Sequence, residues 1–272
     1  MRKITDVNEL HSILLDMAKT FHDICVKNDI PYWMLGGTML GAVRHKGFIP
    51  WDDDMDFGIP RTDFERFLDV AKYLLPPQYE LLTFKNSERI LTDTAKIVHK
   101  ETVIREVFVE DSLPPIGINI DIFPIDPANN NFHLFSKNRM IALLLKLQGY
   151  RFLSHKGRPI FRQFAVLMVK GLFCWLKKST LIDLINSHLI AKEGPNLANH
   201  FGAWGTKENV PKEYMGTPKL YTFEDVMFYG VEDPEKYLKR LYNNYMDLPP
   251  EDERHFHIQE MCWTLNIEDN RT

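Results

Sequence analysis

The segment "GGTMLGAVRHKGFIPWDDDMDFGIPR", Gly36 to Arg61, decides how this chain is read. It crowds Asp52, Asp53, Asp54 and Asp56 into one short run. Neighbouring carboxylates repel one another, so either water screens them or a cation neutralises them. On an extended strand side chains alternate faces, which points Asp54 and Asp56 the same way and Met55 toward the core. Two carboxylates on one face suit a hard divalent cation, because magnesium takes a few carboxylates together with the phosphate oxygens of its substrate. A solvated acidic turn is the bland alternative. Trp51, Met55 and Phe57 make the flanks too apolar for it, and a buried acidic pair without a counter-ion is costly. The cation reading is therefore the stronger one.

Upstream, "IPYWMLGGT" reads as a strand ending in glycines. Glycine at such an end lets backbone N–H groups approach a phosphate closely, which makes Gly36, Gly37 and Thr38 candidate substrate contacts. Arg44, His45 and Lys46 lie between the glycines and the acids, either as a solvated helix end or as phosphate ligands. Arg44 is the preferred ligand, since guanidinium binds phosphate in a bidentate manner and stays charged. Lys96, on "TAKIVHK", is either a second phosphate contact or a surface lysine. Downstream, "GINIDIFPID" sets Asp121 among Ile118, Ile120, Ile122 and Phe123. It is an edge residue facing water, or it pairs beside Asp54 and Asp56 as metal ligand or general base. Asp126, before Pro127, reads as a turn or helix-cap residue. Trp33, Trp51, Tyr32, Trp204, Tyr214 and Tyr221 are available to box a quaternary ammonium, although each is also ordinary core material.

The rest of the chain supplies a frame for these residues. Asp6 and Glu9 have capping-box spacing, and Leu10, Ile13, Leu14, Met17, Phe21, Ile24 and Cys25 recur at helical intervals, predicting a helix over 6–27. A short helix is expected near "MLGAVRHKG", then an extended "DMDFGI". Thr62 and Glu65 suggest a second capping box ahead of a helix marked by Phe64, Phe67, Leu68, Ala71 and Leu75. "TAKIVHKETVI" and "GINIDIF" read as strands, and "DPEKYLKRLYNNYM" as a helix. The order is that of an α/β or α+β core. Residues 132–200, rich in Leu, Phe, Lys and Arg, read as a helical insertion. The division expected is a catalytic core at 1–130, a helical insertion at 131–203, and a C-terminal part at 204–272 that packs back on the core to complete the site.

Composition narrows the function classes. The chain has 272 residues, 26% of them charged, with a formal net charge of -4, which argues against a nucleic-acid partner. Cys25, Cys174 and Cys262 lie far apart without a ligand-set spacing and read as reduced thiols. The N-terminus lacks the apolar core of a signal peptide, and the apolar run at 161–178 is broken by Lys170, so a cytoplasmic protein is expected. Residues 137–178 carry ten Lys and Arg among Leu, Phe, Ile and Trp175 with no acidic residue between them. Such a segment either lies on a membrane surface as a basic amphipathic helix or packs its apolar face on the core.

"LGGTMLGAVRHKGFIPWDDDMDFGIPR" resembles the signature of the LicD family of phosphocholine, or phospho-alcohol, transferases. "GINIDIFPID" resembles that family's second motif and "YLKRLYNNYMDLPPEDER" its C-terminal one. The resemblance implies a nucleotidyltransferase-like mixed sheet flanked by helices. It implies transfer of phosphocholine from CDP-choline to a sugar hydroxyl of a glycan of the teichoic acid or lipopolysaccharide type, with release of CMP. The related fukutin group handles ribitol phosphate. Position by position, Gly36 and Gly37 match the glycine loop, Asp54 and Asp56 the metal-binding pair, and Asp121 the third carboxylate. The expected cofactor is magnesium or manganese, and the acceptor glycan is one commonly assembled on a lipid carrier. "LYNNYM" departs from the family's usual "LYGDYM" at Asn243 and Asn244. Two other readings stand beside this one: a nucleotidyltransferase that releases pyrophosphate from an NTP, and a non-catalytic binding protein on the same fold.

Overall fold

The computed structural model describes residues 1–106, 115–129, 168, 177–254, 256 and 258–264. Helix α1 (Val7–Lys27) starts where the Asp6 carboxylate accepts the backbone N–H of Asn8 at 2.9 Å. The reciprocal half of the expected capping box is not made. Glu9 turns away to Arg2 and to the indole N–H of Trp263, 2.9 Å away. One face of α1, from Leu10 through Phe21 to Cys25, is buried. Each such large apolar side chain contributes roughly 1.5–3 kcal/mol when fully covered.

The main sheet runs β2 (Trp33–Met34), β3 (Asp56–Pro60), β7 (Asn119–Ala128), β5 (Ala95–His99), β4 (Tyr79–Thr83). Strands β3 and β7 are parallel, and the other neighbours in this order are antiparallel. The parallel pair is bridged through α3 (Arg61–Leu74), which packs on β3, β4 and β7. Phe57 of β3 and Phe67 of α3 meet Phe21 of α1 with ring centroids 4.7 and 5.4 Å from it, and this aromatic knot fixes the helices on the sheet. The mixed sheet with flanking helices is the α/β arrangement expected.

Several local expectations are corrected. Helix α3 begins at Arg61 behind Pro60 with no side-chain cap, so Thr62 and Glu65 do not form a capping box; Thr62 bonds Asp63, and Glu65 pairs with Lys85. "TAKIVHKETVI" is two strands. The chain turns at Lys100 and Glu101, and β6 (Thr102–Glu106) joins a separate sheet with β12 (Ile258–Trp263) and β1 (Arg2–Lys3). The Thr102 hydroxyl pins that turn, donating to the His99 carbonyl and accepting the Ile118 N–H. Asp126 is neither a turn nor a cap residue. It is buried within β7, where the Arg61 guanidinium grips it at 2.6 and 3.0 Å and holds Asp93 at 2.6 Å.

Within 131–203 the described residues form helix α4 (Lys178–Leu189) and strand β8 (Asn196–Ala198). Strand β8 pairs with the far end of β7 and with β9 (Asn209–Pro211), because the β7 backbone extends past Asp126 and needs a partner there. The basic segment 137–178 lies outside the described residues apart from Met168, Lys177 and Lys178, and Cys174 lies outside them as well. Among the described residues no helix is long and apolar enough to cross a membrane.

Beyond β9 come α5 (Lys212–Met215), the hairpin β10 (Lys219–Phe223) and β11 (Val226–Gly230), and α6 (Pro234–Tyr242). Helix α6 is capped by the Asp233 carboxylate and buries Tyr237, Leu238 and Leu241. It packs on α2 (Gly36–Arg44), which brings residues 242–249 over the carboxylate cluster.

Candidate functional site

Three adjacent strands put Asp56, Asp121 and Lys96 in one register row across β3, β7 and β5. Side chains of laterally paired residues emerge on the same sheet face, so these three groups are neighbours by construction. Lys96 reaches Asp121 at 2.6 Å and also donates to the Asn119 side chain at 2.8 Å. The sequence alternatives of an edge-facing Asp121 and a surface Lys96 are thereby replaced by a half-buried ion pair beside Asp56.

Of this row, Asp56 lines a cleft of about 520 Å³. Asp52, Asp54 and Asp56 line one wall, Gly37, Leu40 and Arg44 of α2 another, and Trp204, Tyr242 and Tyr245 the far side. Strand β3 starts only at Asp56, so strand alternation is not what aligns Asp54 with it; Asp54 comes from the extended run before the strand. Both carboxylates nonetheless face the same cleft. Asp53 does not join them. It is buried, and its carboxylate accepts the Ile258 N–H at 2.7 Å, which ties the acidic run to β12. His11 fixes the run from below through a 2.8 Å bond between its Nε2, as donor, and the Asp52 carbonyl.

The glycines do not form the expected loop. Strand β2 stops at Met34, and Gly36 and Gly37 are the first residues of α2, after Leu35 with no side-chain cap. Gly36 has φ +47°, a conformation costly for any other residue type, and its N–H donates to the Tyr237 hydroxyl at 3.1 Å. A Cβ on Gly37 would stand 2.9 Å from an Asp52 carboxylate oxygen, so the acid lies directly against the helix end. Thr38 is buried and accepts the Asp56 N–H at 2.8 Å. Its hydroxyl is directed to the strand rather than to a substrate, so the structure gives it a positioning part.

Arg44 lines the cleft and donates to the carbonyls of Tyr245 and Asp247 at 2.8 and 3.2 Å. It thus holds the 245–247 loop while presenting charge to the site. Trp51 lines the cleft beneath the Arg254 guanidinium, 4.8 Å from its ring centre. Of the other aromatic candidates, Tyr32 and Trp33 are core; the Tyr32 hydroxyl bonds His22 Nδ1 at 2.6 Å. Tyr221 donates to the Val231 carbonyl, and Tyr214 packs on the core beside Lys236. Trp204 reaches the cleft.

The electrostatics follow from this crowding. Burial, then the repulsion of Asp54, Asp121, Asp52 and Glu208, pushes the Asp56 carboxyl well above the ordinary carboxylate range. Burial and the neighbouring Asp54 and Asp53 do the same to Asp52, against the opposing pull of Arg44. Burial also pushes Glu208 up to about 7, although the Trp204 N–H and Asn199 stabilise its anion. Tyr242 is raised by burial and by Tyr237, Asp56 and Asp52. Sequence reading missed Glu208, Tyr237 and Tyr242 as members of this environment. Tyr237 and Tyr242 sit inside the motif "YLKRLYNNYM", while nothing in the flank of Glu208 marks it.

Among the described residues, no group of three or more His, Cys, Asp or Glu forms a ready metal centre. Asp121 is already engaged by an ammonium group. What fits a hard cation is the donor set of Asp54 and Asp56, two carboxylates that repel each other and line the same cleft. Asn243 has φ +58° at the end of α6, which explains why asparagine stands where the family pattern has glycine. Both residue types tolerate that region.

Comparison with known proteins adds to this geometry. Residues 29–156 match the family model described as LicD/FKTN/FKRP, nucleotidyltransferase domain. The chain is 31% identical over 270 residues to the lipopolysaccharide cholinephosphotransferase LicD of Haemophilus influenzae, covering 96% of this chain and 98% of that protein. It is 57% identical over 34 residues to the human ribitol 5-phosphate transferase FKRP, covering 12% of this chain and 7% of that protein.

Proposed function

Since this chain belongs to the LicD family, we propose that its cleft transfers phosphocholine from CDP-choline to a sugar hydroxyl of a cell-surface glycan. The acceptor is of the lipopolysaccharide or teichoic acid type, carried on a lipid during assembly, and CMP is released. The observation that carries this reading is the meeting of Asp54 and Asp56 with the amino-terminal end of α2 in one cleft. Phosphoryl transfer is mostly positioning and charge neutralisation, and this cleft offers means for both.

Asp54 and Asp56, with Asp121 beside Asp56, would hold a magnesium or manganese ion, which would supply neutralisation of the donor's diphosphate. The protein groups do the rest. Arg44 spends Nη1 on its two carbonyl contacts and Nε on His45, and binds the diphosphate through Nη2. Gly36 and Gly37 let the donor come close to the α2 backbone, where the helix end favours negative charge. Lys96 fixes the Asp121 carboxylate in the row through both of its oxygens, at 2.6 and 2.7 Å, and that carboxylate takes the proton of the acceptor hydroxyl. The acceptor oxygen attacks the phosphorus that carries choline. The bond from that phosphorus to the oxygen bridging it to CMP breaks, and CMP leaves with the bridging oxygen.

Incubation with CDP-choline, and separately with nucleoside triphosphates, tests the reading by assay of CMP and pyrophosphate. CMP from CDP-choline in the presence of acceptor glycan is expected. Pyrophosphate from a triphosphate would replace the reading with a nucleotidyltransferase, and neither product would leave a binding protein on this fold.

A further inference from the structure

One wall of the cleft is built unlike the rest. Trp204 and Tyr242 stand nearly perpendicular there, with centroids 4.8 Å apart and an interplanar angle of 77°. Trp204 keeps 44% of its surface exposed, an unusual state for a tryptophan that the surrounding structure holds so firmly. Its backbone N–H donates to the buried Glu208 carboxylate at 2.8 Å. The Arg240 guanidinium takes the carbonyls of Lys207 and Thr206, and Lys207 donates to the Leu241 carbonyl at 2.8 Å. A loop tied at four points thus presents a large ring to an open cleft, and the core does not need that ring.

Cations already sit on the rings of this cleft. The Lys207 ammonium lies 5.4 Å from the Trp204 ring centre, and the Arg254 guanidinium lies 4.8 Å from that of Trp51. A ring has two faces, and a resident cation takes one. The exposed surface of Trp204 and the Tyr242 ring form an apolar, electron-rich corner, with the carboxylate of Asp52 in the same cleft. Tyr242 also ties the corner to the reacting end. A Cβ placed on Gly36 would stand 3.6 Å from the Tyr242 hydroxyl and 3.4 Å from an Asp56 carboxylate oxygen.

The geometry points to the Trp204–Tyr242 corner as the subsite for a quaternary ammonium group, which makes these two residues determinants of which alcohol is transferred. This inference rests on the phospho-alcohol reading above. A trimethylammonium head is a large, weakly hydrated cation that gains from aromatic faces, whereas a neutral polyol finds no hydrogen-bonding partner on them. The corner therefore selects by charge as well as by size.

The test is direct binding to the full-length chain, measured by titration calorimetry with phosphocholine and with its neutral carbon isostere, 3,3-dimethylbutyl phosphate. The wild type is expected to prefer phosphocholine by about tenfold. Trp204→Leu is expected to abolish that preference while leaving the affinity for the isostere, and Trp204→Phe to keep most of it. Equal binding of the two probes by the wild type, no binding of either, or an undiminished preference in Trp204→Leu would overturn the subsite. Turnover of CDP-choline is scored separately. A Trp204-dependent preference without turnover refutes the transfer reading alone, and turnover without the preference refutes the subsite alone.

Discussion

Replacing Asp56 by asparagine is expected to abolish transfer and at the same time to stabilise the metal-free fold. Burial and the charges of Asp54, Asp121, Asp52 and Glu208 raise the Asp56 carboxyl well above its ordinary range. The folded protein therefore binds that proton more tightly than the unfolded chain does. Between the ordinary carboxyl pKa near 4 and the raised folded value, the native state carries the extra proton, so stability falls as pH rises; below about 4 this penalty is absent. Two carboxylates at roughly 6–8 Å repel by about 2–3 kcal/mol at an effective dielectric near 20, and protonation relieves part of that. Asparagine keeps the shape and removes the charge, for a net gain of about 1–2 kcal/mol. In a chain of this size that corresponds to a rise in Tm of about 2–8 °C. Thermal melts in EDTA near pH 5 and near pH 8 read it out, with the gain larger at the higher pH. Added magnesium should raise the Tm of the wild type and leave the variant unchanged. A variant less stable than wild type near pH 8 without metal, or a gain that ignores pH, would refute the reasoning.

Arg61→Met strands the buried carboxylates of Asp126 and Asp93 and should cost about 3–5 kcal/mol in urea denaturation; a loss below about 1 kcal/mol would show that neither acid depends on it. Arg44→Lys keeps the charge but lacks the fork that reaches the Tyr245 and Asp247 carbonyls, so the KM for the CDP donor should rise about tenfold. An unchanged KM would remove Arg44 from the donor site. Gly37→Ala pushes a methyl group against the Asp52 carboxylate, so turnover should drop by an order of magnitude or more while Tm moves by only a few degrees; the reverse pattern would make Gly37 purely structural.

How far the sequence carried can be seen at particular residues. The helix of 7–27 was legible because its apolar positions keep one period over many turns, and the region of Asp52–Asp56 because carboxylates are rarely set among Trp51, Met55 and Phe57 without cause. The neighbourhood of Asp121 and Asp56 needed strand pairing, which a sequence suggests without fixing its register; β3 and β7 supply it. Asp126 misled because Asp-Pro is a turn signal in isolation, and only the half-buried Arg61 overrides it. The turn at Lys100 and Glu101 carries no Gly or Pro, so two strands looked like one. Glu208 was invisible because its burial comes from Trp204, Asn199 and α6, which meet only in the fold.

The central claim is that one phosphorus moves together with its alcohol from a CDP donor to a glycan. CDP-choline labelled on the choline methyls and on the adjacent phosphorus, incubated with magnesium and acceptor glycan, measures this directly. Both labels are expected in the glycan in equal amounts, with one CMP released for each, and with neither label transferred by Asp54→Asn or Asp56→Asn. Glycan carrying the methyl label without the phosphorus, or full transfer by either variant, would contradict the account.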